Sequence, residues 1–138
     1  MAATPKEFMA KLGDWQKATE AKLDALARQV CYEMGFRVVM KTPVDTGFLR
    51  GSWQPSIGQP ADAKGATDPA GAKALSDVSL TIADVKAGDR FYMLNNASYA
   101  RFVEYGTTRM AARYYVSDTV ANWQGVVSHV AAELGMTP

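Results

Sequence analysis

The stretch Thr4-Pro5-Lys6-Glu7-Phe8 opens the longest periodic segment of the chain and decides what kind of fold it can adopt. Thr4 is an N-cap residue, Pro5 suits the first helical position, where an N–H would have no partner, and Glu7 stands where a capping box needs its carboxylate. Apolar residues then recur at Phe8, Leu12, Trp15, Leu23, Leu26, Val30, Met34 and Val38, mostly in helical steps. Lys11, Asp14, Lys17, Glu20, Lys22, Asp24 and Arg28 fall on the other face. The pattern predicts one helix over residues 5–41, which Pro43 prevents from continuing. Gly13 and Gly35 each weaken it by about 1 kcal/mol relative to Ala and are candidate bends. Such a helix is about 55 Å long, whereas a domain of this size is only roughly 30 Å across. Part of it is therefore expected to break or to project beyond its own core.

After this helix, Asp45-Thr46-Gly47 reads as a turn and residues 48–56 as a strand, with Leu49, Gly51 and Trp53 on one side and Arg50, Ser52 and Gln54 on the other. Residues 57–71 are rich in Gly, Pro, Ala and Asp and are expected to be a mobile loop. Asp68-Pro69 resembles a second helix start. Leu75, Val78, Ile82 and Val85 follow at helical spacing, predicting a helix over 69–86 ended by Gly88; a strand over 78–83 competes. A strand is expected over 89–95, a turn over 96–98, and a short helical turn over 99–105 closed by Gly106, followed by an irregular link over 109–113. Val116, Val120, Trp123, Val127, Val130 and Leu134 predict a last helix over 115–134, ended by Gly135. The expected fold is a single α+β domain. It has a long N-terminal helix and a small antiparallel or mixed sheet, with the middle and C-terminal helices packed on that sheet.

Composition narrows the function classes. The chain of 138 residues is 48% hydrophobic, enough for a real core, and its 15 Lys and Arg against 14 Asp and Glu leave a net charge of +1. No global basic field drives it toward nucleic acid. Cys31 is the sole cysteine, so no intrachain disulfide can form and a reducing compartment is expected, with the thiol buried as a small apolar group. The N-terminus has no signal-peptide pattern, and no apolar run approaches the roughly 20 residues that span a bilayer. A soluble protein made in the cytoplasm, without a membrane partner, is the expectation.

Few residues suggest chemistry. Asp45-Thr46-Gly47 is the tripeptide of aspartic proteases, which pair two aspartates around a shared proton. Here it follows a long helix and Lys41-Thr42-Pro43 rather than ending an apolar strand, so a hydrolase at Asp45 is the weakest reading and a tight turn the better one. His129 is the only histidine and has no partner at ligand spacing. Arg101, Arg109 and Arg113 lie among Phe102, Tyr105, Tyr114 and Tyr115. That mixture suits a nucleic-acid-binding module or a protein interface, and a near-zero net charge favours the interface.

Two segments carry a resemblance. Thr42-Pro43-Val44-Asp45-Thr46-Gly47-Phe48-Leu49-Arg50-Gly51-Ser52-Trp53 is followed later by Asn95-Asn96-Ala97-Ser98-Tyr99-Ala100-Arg101-Phe102-Val103-Glu104-Tyr105-Gly106. Together, and with a long helix before the first and a terminal helix after the second, they resemble the neck, head–tail joining and tail-completion (minor tail component) family of lambda-like tailed bacteriophages. Where that family commonly continues with a Gln-Ala-Pro-x-Gly-Met type of link, this chain has Thr108-Arg109-Met110-Ala111-Ala112-Arg113-Tyr114, without Pro or Gly.

The resemblance implies a non-enzymatic virion protein, assembled in the host cytoplasm and placed at the head–tail junction, with no catalytic, cofactor or metal residues. Its implied partners are further copies of itself in a homo-oligomeric ring, six by the usual symmetry of the tail tube or else twelve. A head-side connector or stopper protein, a tail terminator or tail tube protein, and the genomic DNA passing through the channel complete the set. Trp15, Arg50, Trp53, Arg101, Glu104, Tyr105, Arg109, Arg113 and Tyr114 are the expected interface residues. The 57–71 loop is expected to touch neighbouring subunits, and removing residues 58–68 to spare the monomer.

Overall fold

The computed structural model describes residues 4–136. Its fold is α+β, with the elements α1 (Pro5–Lys41), α2 (Phe48–Gly51), β1 (Trp53–Ile57), α3 (Ala72–Ile82), β2 (Phe91–Asn95), α4 (Ala100–Tyr105), α5 (Tyr115–Ala121) and α6 (Trp123–Glu133). The capping box forms at the start of α1: the Glu7 amide donates to Thr4 Oγ1 at 3.2 Å, and the Thr4 amide donates to Glu7 Oε2 at 3.1 Å. Neither glycine breaks α1. Gly35 is buried, and a Cβ there would stand 3.0 Å from Val78 Cγ1, so this glycine lets α3 approach the helix backbone.

The C-terminal half of α1 is the axis of the domain. α3, α5 and α6 all pack on it, and α3 also covers β1. Val38, Val39, Leu49, Trp53, Ala74, Ala97 and Tyr115 form the buried cluster. β1 and β2 make a two-stranded antiparallel sheet in which Trp53 pairs with Asn95 and Ile57 with Phe91. Pro55 is tolerated in β1 because each strand of a two-stranded sheet has an open edge. The N-terminal half of α1 is different. Its first hydrogen bonds to the rest of the described chain are the Asp24 carboxylate with the Ala87 amide and Arg28 Nε with the Val85 carbonyl, both 2.9 Å. Before them, Phe8, Met9, Leu12, Trp15 and Leu23 are exposed, Trp15 at 65%.

Several expected elements are corrected. Residues 48–56 are not one strand: α2 occupies 48–51 and β1 begins only at Trp53. Leu49, Ser52 and Trp53 are buried at helical spacing, and the Ser52 hydroxyl donates to the Phe48 carbonyl at 2.6 Å. The middle helix starts at Ala72 rather than 69 and ends at Ile82 rather than 86, and the competing strand over 78–83 does not form. Asp68 still serves that helix start, its carboxylate accepting from the Ala74 amide at 3.1 Å. The second strand begins at Phe91 rather than at 89.

The last helix is two, α5 and α6, broken at Asn122, whose side chain donates to the Asp118 carbonyl at 2.8 Å and competes with the backbone ladder. Their buried face is Tyr115, Thr119, Val126 and Val130, while Val120 and Trp123 are exposed. Cys31 is half-buried rather than fully inside, and burial pushes its thiol up. No helix among the described residues is long and apolar enough to cross a membrane.

The 57–71 segment has no regular structure beyond Ile57, yet it is laced to the body. Gln54 bonds both the amide and the carbonyl of Ala63, the Ala66 amide reaches the Gly51 carbonyl at 3.4 Å, and the Asp68 amide reaches the Gly47 carbonyl at 2.9 Å. Removing residues 58–68 would therefore strip hydrogen bonds from α2, β1 and the start of α3, so the deletion is expected to cost stability rather than spare the monomer.

Candidate functional site

The segments 42–53 and 95–106, distant in the chain, build one construction. Thr42, fully buried at the end of α1, donates from Oγ1 to the Val38 carbonyl (2.6 Å) and accepts from Trp53 Nε1 (2.8 Å). Arg50 spreads its guanidinium over the carbonyls of Thr42 (2.9 Å), Pro69 (2.9 Å) and Met40 (3.1 Å), closing the carbonyl-rich end of α1. Its buried Nε has no partner among the described residues. Asn95 Nδ2 donates to the Leu49 carbonyl at 2.7 Å, and Asn95 Oδ1 accepts from the Ala97 amide at 3.1 Å, fixing the turn into α4. Asn96 Nδ2 donates to the Ala63 carbonyl at 2.7 Å and holds the long loop down.

Glu104 is the buried acid of the second segment, only 5% exposed. It accepts from the amides of Val116 (2.8 Å) and Ser117 (2.9 Å) and from the Ser117 hydroxyl (2.5 Å), and so receives the first turn of α5. Burial raises its pKa, and the bonds from Ser117 and Val116 outweigh that effect and hold the carboxyl below its usual range. Tyr115 beside it donates its hydroxyl to the Ala100 carbonyl at 2.9 Å and packs edge-on against Trp53, with ring centroids 6.2 Å apart. Burial, then the charge of Glu104, then Tyr99 push the Tyr115 phenol up to about 12. Between them, Tyr114 is held at φ 48, a backbone conformation most side chains avoid.

Against this scaffold lies an open groove of about 570 Å³. It is lined by the turn at residues 43–49 and by Tyr99, Val103, Met110 and Arg113. Gly47 in that turn has φ 94, and a Cβ on it would stand 2.5 Å from Pro69 N, so no other residue fits the turn. Asp45 lines the groove, and no second carboxylate does. Among the described residues no group of His, Cys, Asp and Glu could hold a metal ion. His129 is exposed and lies 2.9 Å from Glu133 one turn on.

The expected interface residues separate into two sets. Trp53 is 5% exposed and Glu104 equally buried, and Arg50 is half-buried and committed to three carbonyls, so these three hold the fold, and Trp53 and Glu104 present little surface. Trp15, Arg101, Tyr105, Arg109, Arg113 and Tyr114 are exposed. The three arginines form no ion pair among the described residues, and they do not line one cleft. Arg113 lines the groove with Val103, whereas Arg101, two residues from Val103 on α4, lines a different cleft with Glu104 and Tyr105; Arg109 lines neither.

Sequence reasoning missed Val44, Phe48 and Met110 as groove residues. The available signal was Val44 and Met110, large apolar side chains in segments read as turn and link. Comparison with protein-family models, with curated proteins and with solved structures returns no match.

Proposed function

We propose that this chain is a structural virion protein of a tailed phage, one subunit of a homo-oligomeric ring at the head–tail junction around the DNA channel. The observation that carries the reading is that the two segments with the neck-protein resemblance are one structural unit. They pair from Trp53 to Asn95, bond from Asn95 to Leu49 and share the walls of one groove. The uncovered apolar stripe on α1 supports self-assembly, because contiguous exposed apolar residues often mark interaction sites.

The alternatives draw less support. Arg101, Arg109 and Arg113 do not line one cleft, and no second carboxylate lines the groove beside Asp45. The test is the protein content of purified virions of the phage that encodes the chain, together with a null mutant. We expect the subunit in the particle, and the null mutant to accumulate separate filled heads and tails. Purified infectious particles without the chain would overturn the proposal.

A further inference from the structure

Two of the uncovered apolar surfaces among the described residues have opposite shapes. One is the protruding half of α1, where Phe8, Leu12 and Trp15 lie along one helical face. By helical spacing, Lys11 and Lys22 flank that face on one side, and Gln16 and Glu20 on the other. The other surface is the groove, whose lining includes the apolar Phe48, Tyr99, Val103 and Met110 and the charged Asp45 and Arg113. The helix cannot fill its own groove. The groove begins at Pro43, just past the end of α1, and Trp15 lies about 39 Å from that end along a continuous helix.

We infer that the N-terminal half of α1 in one copy lies in the groove of the next copy. Phe8, Leu12 and Trp15 pack on its apolar lining as helix-in-groove anchors. The lysine flank meets Asp45 and the Glu20 flank meets Arg113, so the charges of helix and groove are complementary. The contact joins two different patches, and a heterologous contact of this kind propagates from copy to copy, closing a ring when the rotation between copies closes and forming an open filament when it does not. The inference rests on the proposed ring for that closure.

The experiment is sedimentation of the purified full chain, up to millimolar concentration, with two exposed-site variants, Trp15→Glu and Met110→Glu. Circular dichroism melts of each variant at the wild-type temperature establish that the fold is kept. Wild type is expected to form oligomers and each variant alone to be monomeric. Their equimolar mixture is expected to give a heterodimer and nothing larger, because only one intact helix and one intact groove remain to meet. Asp45→Lys is expected to weaken association about tenfold, and Lys11→Glu with Lys22→Glu in the same chain to restore it.

A wild-type monomer at every concentration, Met110→Glu assembling like wild type, or a mixture that stays monomeric would each overturn the inference. Normal assembly of Met110→Glu would remove the groove contact and leave the ring standing. Absence of the chain from virions would remove the phage reading and leave the mixing result intact.

Discussion

The two halves of α1 have the same apolar periodicity and opposite surroundings. From Gly35 onward the stripe is sealed, with Val39 and Val78 wholly buried and Gly35 set against the α3 side chains. Over residues 5–23 the stripe of Phe8, Leu12 and Trp15 faces solvent. An amphipathic pattern records that a face is to be covered, without recording by what. In this helix one half is covered by its own domain. The other half, on our reading, is covered by a neighbouring copy.

Substitutions can break that contrast, beginning with the sealed half. Trp53→Ala removes the ring that bonds Thr42 and packs on Tyr115, and is expected to cost about 3–5 kcal/mol in urea unfolding. Glu104→Gln places an amide nitrogen among donors from Val116 and Ser117 and is expected to cost about 1–3 kcal/mol near neutral pH. Its sign with pH is fixed by the lowered folded-state pKa. The Glu104 contribution is present above the ordinary carboxylate value and is lost as pH falls through the folded one. Unfolding midpoints followed into acid should therefore converge for wild type and Glu104→Gln, and a gap that widens with acidification would refute the assignment.

The glycines sharpen the contrast within one helix. Gly35→Ala drives a Cβ to 3.0 Å from Val78 and is expected to destabilise by about 1–3 kcal/mol. Gly13→Ala meets nothing within 4 Å and is expected to stabilise the local helix by about 1 kcal/mol, slowing amide exchange over residues 5–23. Effects of the same sign at both positions would mean that the two halves are not differently packed. The smallest effect belongs to Trp15→Glu, which should leave monomer unfolding within about 0.5 kcal/mol of wild type while abolishing self-association.

The sequence was most legible where a local rule had no competitor. Thr4, Pro5 and Glu7 predicted the start of α1 to the residue, and Gly106 ended α4 as expected. It was least legible where two periods overlap. Residues 48–53 fit an alternating strand, and the inner face expected of it, Leu49, Gly51 and Trp53, is buried, but Ser52, which alternation places outward, is buried with them. The expected C-terminal stripe shares Val130 with the buried face but also includes Val120 and Trp123, which are exposed, and leaves out Tyr115 and Thr119, which are buried. For the site, Arg50, Trp53 and Glu104 are expected at an interface, and the structure gives each a role inside the fold. Their sequence signal does not distinguish a contact surface from a carbonyl clamp, a core ring and a helix-start acceptor. The groove requires segments far apart in the chain to meet, which no local pattern announces.

The most direct measurement is a high-resolution density map of the head–tail junction in purified particles. We expect a closed ring of copies of this chain, with residues 5–23 of each lying in the Pro43–Arg113 groove of its neighbour and Trp15 buried there. A junction without this chain, or a ring in which residues 5–23 stand free in solvent, would contradict that expectation.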